Sequence, residues 1–192
     1  MIPGLLAITP GDGRDLFPWV EALAAAGLPG LLVLEPASPE HELRRLISAC
    51  LVRIPFVAVH ARNPAAPSLV DSHRNLALHC RPFETTTRAI FGVSCHSAEE
   101  VEHALSRGAT YTLLSPVWSP GSKPDDTRAP LGPAAYLAVA RDRPVLALGG
   151  ITPERHRALV RAGSAGSAVL GGLFSLSSPA AAAHRLGAYL RD

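Results

Sequence analysis

Lysine, methionine and cysteine are scarce in this sequence. Of the 18 basic residues only Lys123 is a lysine, and the other 17 are arginines. The net charge of +2 and the pI of about 8.6 are too mild to predict nucleic-acid binding. The longest apolar runs are far shorter than the roughly 20 residues that cross a membrane, so no membrane partner is expected.

The three cysteines, Cys50, Cys80 and Cys95, are scattered and form no CxxC pair. An odd number without paired spacing predicts reduced, mostly buried thiols, and argues against a disulfide framework or a zinc site. The N-terminal segment lacks a charged region followed by a long apolar stretch, so no secretory signal is indicated. We therefore expect a cytoplasmic protein with a single domain over residues 1–192.

One unit recurs along the chain: a short apolar run, a polar break and an amphipathic helical pattern. The predicted strands are Leu5–Thr9, Leu31–Glu35, Phe56–Ala61, Leu76–Cys80, Ile90–Cys95, Tyr111–Val117, Pro144–Leu148 and Ser167–Leu170. The predicted helices are Asp15–Ala26, Pro39–Cys50, Ala98–Arg107, Gly132–Ala140, Pro153–Ala162 and Pro179–Leu190. Between Ala61 and Ile90 the helices are expected to be very short or missing.

Residues typical of helix ends support these boundaries. A capping hydroxyl precedes four helices, three of them with proline at the first helical position. Glycine closes three helices, where a left-handed residue is favoured. The residues concerned are Ser38, Ser97, Thr152 and Ser178 at the starts, and Gly27, Gly108 and Gly163 at the ends.

Apolar strands that alternate with helices predict a parallel sheet covered by helices. Eight units in 192 residues, or 24 residues each, indicate a compact (β/α)8 TIM barrel of the α/β class. The alternative is an open doubly wound sheet, which favours a glycine-rich loop after the first strand. Residues Thr9–Gly13 match neither GxGxxG nor a P-loop, so the barrel is preferred, with its chemistry at the carboxyl ends of the strands.

Glycine pairs end the last two predicted strands: Gly149 and Gly150 after the seventh, Gly171 and Gly172 after the eighth. Such pairs let backbone N–H groups approach an anion beside a helix N-terminus, and in barrels this is the usual place for a phosphate. The alternative is that the glycines only permit tight turns. We favour phosphate binding because two pairs occur on adjacent strands.

The loop after the sixth predicted strand, residues 118–130, is long, polar and rich in proline and glycine. Loops of this kind often close over a ligand. It holds Lys123 beside the hydroxyl of Ser122, as an anion-closing loop would, although a solvated loop explains the composition equally well.

His60, His79 and His96 fall at or just past predicted strand ends, so a barrel would gather them at one mouth. Histidine is suited to proton transfer near neutral pH, and we expect one of the three to be a catalytic base. A metal held by three imidazoles is a less favoured alternative, and structural roles are another.

Motifs occur in five of the predicted units. They are residues 6–9 in the first strand, 91–97 with Glu99, Glu100 and 108–109 in the fifth unit, and 144–151 in the seventh strand. The sixth unit contains Ser115-Pro116-Val117-Trp118 with Ser122-Lys123 and Leu131-Gly132, and Ala162-Gly163 with Val169 continue into strand eight. Together these motifs resemble those of the thiamine phosphate synthase/TenI family, with a similarity that is good from about residue 90 to 175 and thin before it.

The resemblance implies roles for several positions. The four glycines of the two pairs would bind the phosphate of a thiazole phosphate or of thiamine phosphate. Ser122 and Lys123 would match a threonine and the lysine of the strand-six motif, which helps bind the substrates' phosphates. Ser94 would match a serine associated with the departing pyrophosphate.

The chain also departs from the synthase pattern. Glu35 stands in the segment where synthases carry a Q-x-R-x-K-like signature, and His60-Ala61-Arg62 replaces N-D-R. His79-Cys80-Arg81-Pro82 stands where H-x-G-Q is usual. Because a pyrophosphate leaving group needs Mg²⁺ on carboxylates together with cations, these changes weigh against ordinary synthase activity.

The TenI branch tautomerises a carboxylated thiazole phosphate and needs neither diphosphate nor metal. The resemblance therefore implies a TenI-like isomerase without a cofactor, although Pro116 replaces the histidine that this branch uses in strand six. The alternatives are a thiamine phosphate synthase, which would need Mg²⁺, and a non-catalytic thiamine phosphate sensor or partner subunit. A different sugar-phosphate isomerase is a further, less favoured alternative. Related proteins often form homodimers, so a homodimer is allowed.

Overall fold

Eight parallel strands close into a barrel in which each strand pairs with the next along the chain and the last pairs with the first. The computed structural model describes residues 2–84, 86–119 and 128–191. This arrangement confirms the predicted TIM barrel. The strands are β1 Leu5–Ile8, β2 Gly30–Val33, β3 Phe56–His60, β4 Leu76–Cys80, β5 Phe91–Cys95, β6 Tyr111–Leu114, β7 Val145–Ala147 and β8 Ser167–Val169.

Helices cover the outside of the barrel. Within the described ranges they are α1 Phe17–Ala25, α2 Glu40–Arg53, α3 Ala66–Ser72, α4 Ala98–Ser106, α5 Gly132–Ala140, α6 Pro153–Arg161, α7 Gly171–Phe174 and α8 Pro179–Leu190. The helix after β3 is short, and among the described residues none lies between β4 and β5, as predicted. The four-residue α7 was not predicted, because it consists of the second glycine pair and two apolar residues.

Three of the four predicted helix caps are confirmed. The hydroxyls of Ser97, Thr152 and Ser178 each accept a hydrogen bond from a backbone N–H in the first turn. The prediction for Ser38 is wrong. Helix α2 begins one residue later, and the capping position is Pro39, whose extended backbone (ψ of 149°) places it outside the helix.

Apolar side chains form two layers that determine where a ligand can sit. The larger layer lies between strands and helices, and the smaller fills the barrel interior. Near the carboxyl ends of the strands the interior layer stops at Ile8, Leu32, Leu113 and Ala168, which face a cavity. The core therefore supplies an apolar floor at the end where TIM barrels carry their sites.

None of the helices in the described parts of the chain is long and apolar enough to cross a membrane.

Candidate functional site

A cavity of about 680 Å³ opens at the carboxyl ends of the strands. Its floor is apolar, and its walls carry hydroxyls, imidazoles, arginines and bare glycine backbone. The predicted site residues that line it are His60, Ser94, His96, Gly149, Gly150, Gly171 and Gly172. His79 lies behind this wall, and Ser122 and Lys123 lie outside the described residues.

In the first glycine pair, both the backbone conformation and the space around the two residues exclude a side chain. Gly149 has φ of +99° and Gly150 has φ of +63°, in the left-handed region. A Cβ on Gly150 would lie 2.7 Å from Cβ of Trp118. Among the described residues neither amide N–H has a hydrogen-bond acceptor, so both can bind an anion at the cavity wall.

The second glycine pair has a packing role as well. A Cβ on Gly172 would lie 2.4 Å from the hydroxyl of Tyr189, which donates to the carbonyl of Ile151 at 3.0 Å. The N–H groups of Gly171 and Gly172 have no acceptor within the described part of the chain. The tight packing at this pair therefore leaves both N–H groups available to an anion.

Arginines at the rim add positive charge that sequence reasoning missed. Arg155 donates from Nη1 to the carbonyl of Gly150 at 2.6 Å, and its guanidinium lies 4.8 Å from the Trp118 ring centroid. Arg81 is paired with Glu84, whereas Arg62 is exposed at the rim. Arg155 could have been found from the sequence, because it stands in the first helical turn after a glycine pair.

His96 is half-buried on the cavity wall, and its contact with Ser115 favours one tautomer. Its Nδ1 lies 2.9 Å from the carbonyl oxygen of Ser115, which can only accept, so Nδ1 carries the proton. In that tautomer Nε2 accepts a hydrogen bond from Nη1 of Arg128 at 2.8 Å, whereas the 2.6 Å separation between Nη1 and Nδ1 is a contact between two donors and not a hydrogen bond. His96 therefore presents an unprotonated nitrogen at the cavity wall, as a general base requires.

His60 has the opposite tautomer. Its Nδ1 accepts the backbone N–H of Arg62 at 3.0 Å, so in the neutral ring Nε2 carries the proton. Burial lowers the pKa of His60 to about 4, with a smaller contribution from Arg62. At neutral pH this ring offers a hydrogen-bond donor and no free lone pair.

His79 is fully buried beneath Ser94. Its Nε2 lies 2.9 Å from Oγ of Ser94, and its Nδ1 lies 3.0 Å from the hydroxyl of Tyr111. Burial holds the pKa of His79 well below its usual range, so the ring is neutral. It reaches the cavity only through Ser94.

The donors that face the cavity do not suit Mg²⁺. Mg²⁺ prefers carboxylate oxygens, and among the described residues of the lining no side chain is a carboxylate. Glu35 is buried away from the cavity, and its Oε1 accepts the Gly11 N–H at 3.1 Å. No cluster of histidine, cysteine and acidic residues that could hold a metal occurs in the described ranges.

The buried histidines make stability depend on pH. Burial lowers the pKa of His60, His79 and His156 below 6.5, so the unfolded state binds more protons as the solution is acidified. Between pH 6.5 and about 4 we expect His60 to reduce the free energy of unfolding by up to about 1.4 kcal/mol per pH unit, and His79 and His156 to act in the same direction below pH 6.5. Urea unfolding at pH 7.0 and 5.0 measures the loss.

The His60→Gln variant should lose less stability than the wild type between these two pH values. His41→Gln, at an exposed position, is the matched control and should leave the difference unchanged. Equal free energies of unfolding at both pH values in the wild type would contradict this account. Glu35 opposes the trend slightly, because burial raises the pKa of its carboxyl.

The fold and the cavity define the class of protein: a (β/α)8 barrel with a polar-walled cavity at the carboxyl ends of its strands. A family model described as thiamine monophosphate synthase matches residues 78–173, half of the chain. The thiamine-phosphate synthase of Bordetella pertussis is 30% identical over 210 aligned positions, covering 96% of this chain and 94% of that protein. The chain belongs to the thiamine monophosphate synthase family, which confirms the family expected from the motifs.

Other relatives match over a shorter stretch. The thiamine-phosphate synthase of Geobacillus thermodenitrificans is 36% identical over 107 residues, and the match spans about half of each chain, 54% of this one and 48% of that one. A solved structure described as thiamine phosphate pyrophosphorylase from Pyrococcus furiosus superposes with a TM-score of 0.75 at 19% identity, covering 95% of this chain and 92% of that one. At that identity the superposition supports the fold alone.

Proposed function

We propose that this barrel binds a phosphorylated thiazole and transfers a proton on it, as a TenI-like tautomerase. The ligand's phosphate binds the backbone N–H groups of the two glycine pairs. Its ring lies on the apolar floor formed by Ile8, Leu32, Leu113 and Ala168. The observation that carries the proposal is the 2.9 Å contact between Nδ1 of His96 and the carbonyl oxygen of Ser115, from which we assign the proton to Nδ1 and an unprotonated Nε2 at the cavity wall.

His96 can carry the proton without a cofactor. Nε2 takes a proton from one position of the ligand, and the electron pair of the broken bond moves into the conjugated ring. The carbonyl of Ser115 then stabilises the imidazolium through Nδ1–H. Nε2 returns the proton to a second position, so nothing is gained or lost overall. Before this happens Arg128 must leave Nε2, and an anionic ligand would draw the guanidinium away.

A thiamine phosphate synthase, which joins a thiazole phosphate to a pyrimidine diphosphate, is the second candidate, because the family description and the relatives carry that name. Against it, the described cavity lining lacks a carboxylate for Mg²⁺, and Glu35 adds negative charge beside β1 and β2. A non-catalytic thiamine phosphate-binding protein is a third candidate. It shares the phosphate site but does not require the His96 tautomer.

Titration calorimetry with the thiazole phosphate and with pyrophosphate, each with and without Mg²⁺, tests the proposal. We expect the thiazole phosphate to bind equally well with and without the metal, and pyrophosphate to bind weakly in both cases. Tight Mg²⁺-dependent binding of pyrophosphate would favour the synthase instead. Conversion of the carboxylated thiazole phosphate, followed by its absorbance or by NMR, then separates a tautomerase from a binding protein.

A further inference from the structure

A row of three hydrogen-bonded side chains crosses the barrel interior and ends at the cavity. The Tyr111 hydroxyl lies 3.0 Å from Nδ1 of His79, and Nε2 of His79 lies 2.9 Å from Oγ of Ser94. Tyr111 and His79 are fully buried, whereas Ser94 is half-buried and lines the cavity. The row therefore connects a buried phenol to the ligand site, and the proposed proton transfer makes no use of it.

The ring of Tyr111 fills the space that a side chain at Gly92, on the neighbouring strand, would otherwise occupy. Gly92 pairs with Tyr111 in the β5–β6 register, and a Cβ on Gly92 would lie only 2.2 Å from Cζ of Tyr111. The ring of Phe56 packs edge-on against the phenol at 5.6 Å. Because this packing fixes the ring, the hydroxyl is aimed at His79.

Each buried polar group in this row needs a hydrogen-bond partner, and this requirement determines which atom donates in each of the two hydrogen bonds. In the described residues the Tyr111 hydroxyl has no acceptor other than Nδ1 of His79, so the phenol donates to Nδ1. The reverse direction would leave a buried phenol proton without a partner, which is costly. Since His79 is neutral, its proton is then on Nε2 and is donated to Oγ of Ser94.

We propose that His79 and Tyr111 are positioning residues that make Ser94 a hydrogen-bond donor toward the cavity. His79 occupies a lone pair of Oγ, so the hydroxyl proton of Ser94 is left for the ligand. Ser94 lies at the end of β5, two strands away from the first glycine pair. It therefore binds an anionic oxygen at the other end of a phosphorylated ligand. That the oxygen belongs to a carboxylate rests on the proposed function.

The binding test compares the carboxylated thiazole phosphate with the same molecule lacking the carboxylate. We expect Ser94→Ala to weaken binding of the first by about 10- to 100-fold, because a hydrogen bond to a charged group is lost, and to leave binding of the second within about twofold. Tyr111→Phe keeps the ring and removes the hydroxyl, so it should weaken binding of the carboxylated ligand alone. Equal effects on both ligands would overturn the proposal.

Two substitutions of His79 separate positioning from acid–base catalysis. The amide of glutamine can donate to Oγ of Ser94 as Nε2–H does, so His79→Gln should keep the preference for the carboxylated ligand. Leucine cannot donate, so His79→Leu should lose that preference. Loss of turnover in His79→Gln with unchanged affinity would instead make His79 a base and contradict the positioning role.

Nitrogen-15 NMR of the histidine rings tests the row without any ligand. In the wild type we expect His79 to be neutral, with the proton on Nε2, and the shifts of its Nδ1 to change in Tyr111→Phe. A proton on Nδ1 in the wild type would refute the proposal even if ligands bind as expected. If neither thiazole binds, the proposed function fails. This measurement still decides whether Tyr111 donates to His79 and His79 donates to Ser94.

Discussion

The variant His96→Asn should slow proton transfer by about 10²- to 10⁴-fold, the usual contribution of a general base, while the affinity for the phosphorylated ligand changes less than about twofold. Asparagine can still donate to the carbonyl of Ser115, as Nδ1 of His96 does at 2.9 Å. It has no basic nitrogen at the position of Nε2. Turnover of the carboxylated thiazole phosphate and calorimetric binding, measured on the same preparation, check the two parts.

The variant His60→Gln is the matched control for this prediction. Both histidines line the cavity, but Nδ1 of His60 accepts the N–H of Arg62, so its other nitrogen carries a proton. Its replacement should therefore reduce turnover far less than that of His96. If His96→Asn keeps full turnover and His60→Gln loses it, the assignment of the base to His96 is wrong.

The sequence was sufficient to predict the barrel and the position of the two glycine pairs at its strand ends, because both predictions depend on local patterns. Strand β4 and helices α5 and α8 were predicted with the bounds that the structure has. Strand β6 is shorter than predicted and ends before Pro116, which lacks the N–H that a central strand needs. Local patterns thus located the strand ends that line the cavity.

The sequence could not predict which of the three histidines line the cavity and which is buried behind its wall, because this depends on the register between strands. His79 pairs with Gly92 in the β4–β5 register. Ser94 lies two residues nearer the carboxyl end on the same face of β5 and covers the imidazole. Periodicity along one strand contains no information about this offset.

The hydrogen bonds that distinguish His60 from His96 are also invisible in the sequence. Both residues stand at strand ends and are followed within two positions by polar groups. What differs is the partner of Nδ1: a backbone N–H from the chain's own loop for His60, and a carbonyl from the neighbouring β6 end for His96. The second contact joins residues 19 positions apart, and the parallel pairing of β5 with β6 brings them together.

A single methyl group on Gly150 should abolish most phosphate binding. In Gly150→Ala the residue must leave φ of +63° or bear left-handed strain, and its Cβ would lie 2.7 Å from Cβ of Trp118 and 3.0 Å from the carbonyl of Ser119. Either response moves the N–H groups of Gly149 and Gly150 and the bond from Arg155 to the Gly150 carbonyl. We expect affinity for the thiazole phosphate to fall by at least about 100-fold, since each hydrogen bond to a charged group contributes strongly.

The variant Gly108→Ala separates this effect from general left-handed strain. Gly108 has φ of +86°, and a Cβ there would meet no atom within 4 Å. Its replacement should therefore lower the free energy of unfolding by about 1–2 kcal/mol and leave phosphate affinity unchanged. If Gly150→Ala loses the same stability as Gly108→Ala and still binds the thiazole phosphate as the wild type does, the glycine amides do not form the phosphate site. A large loss of affinity in Gly150→Ala alone would instead tie phosphate binding to the backbone of this turn, because no charged side chain is changed.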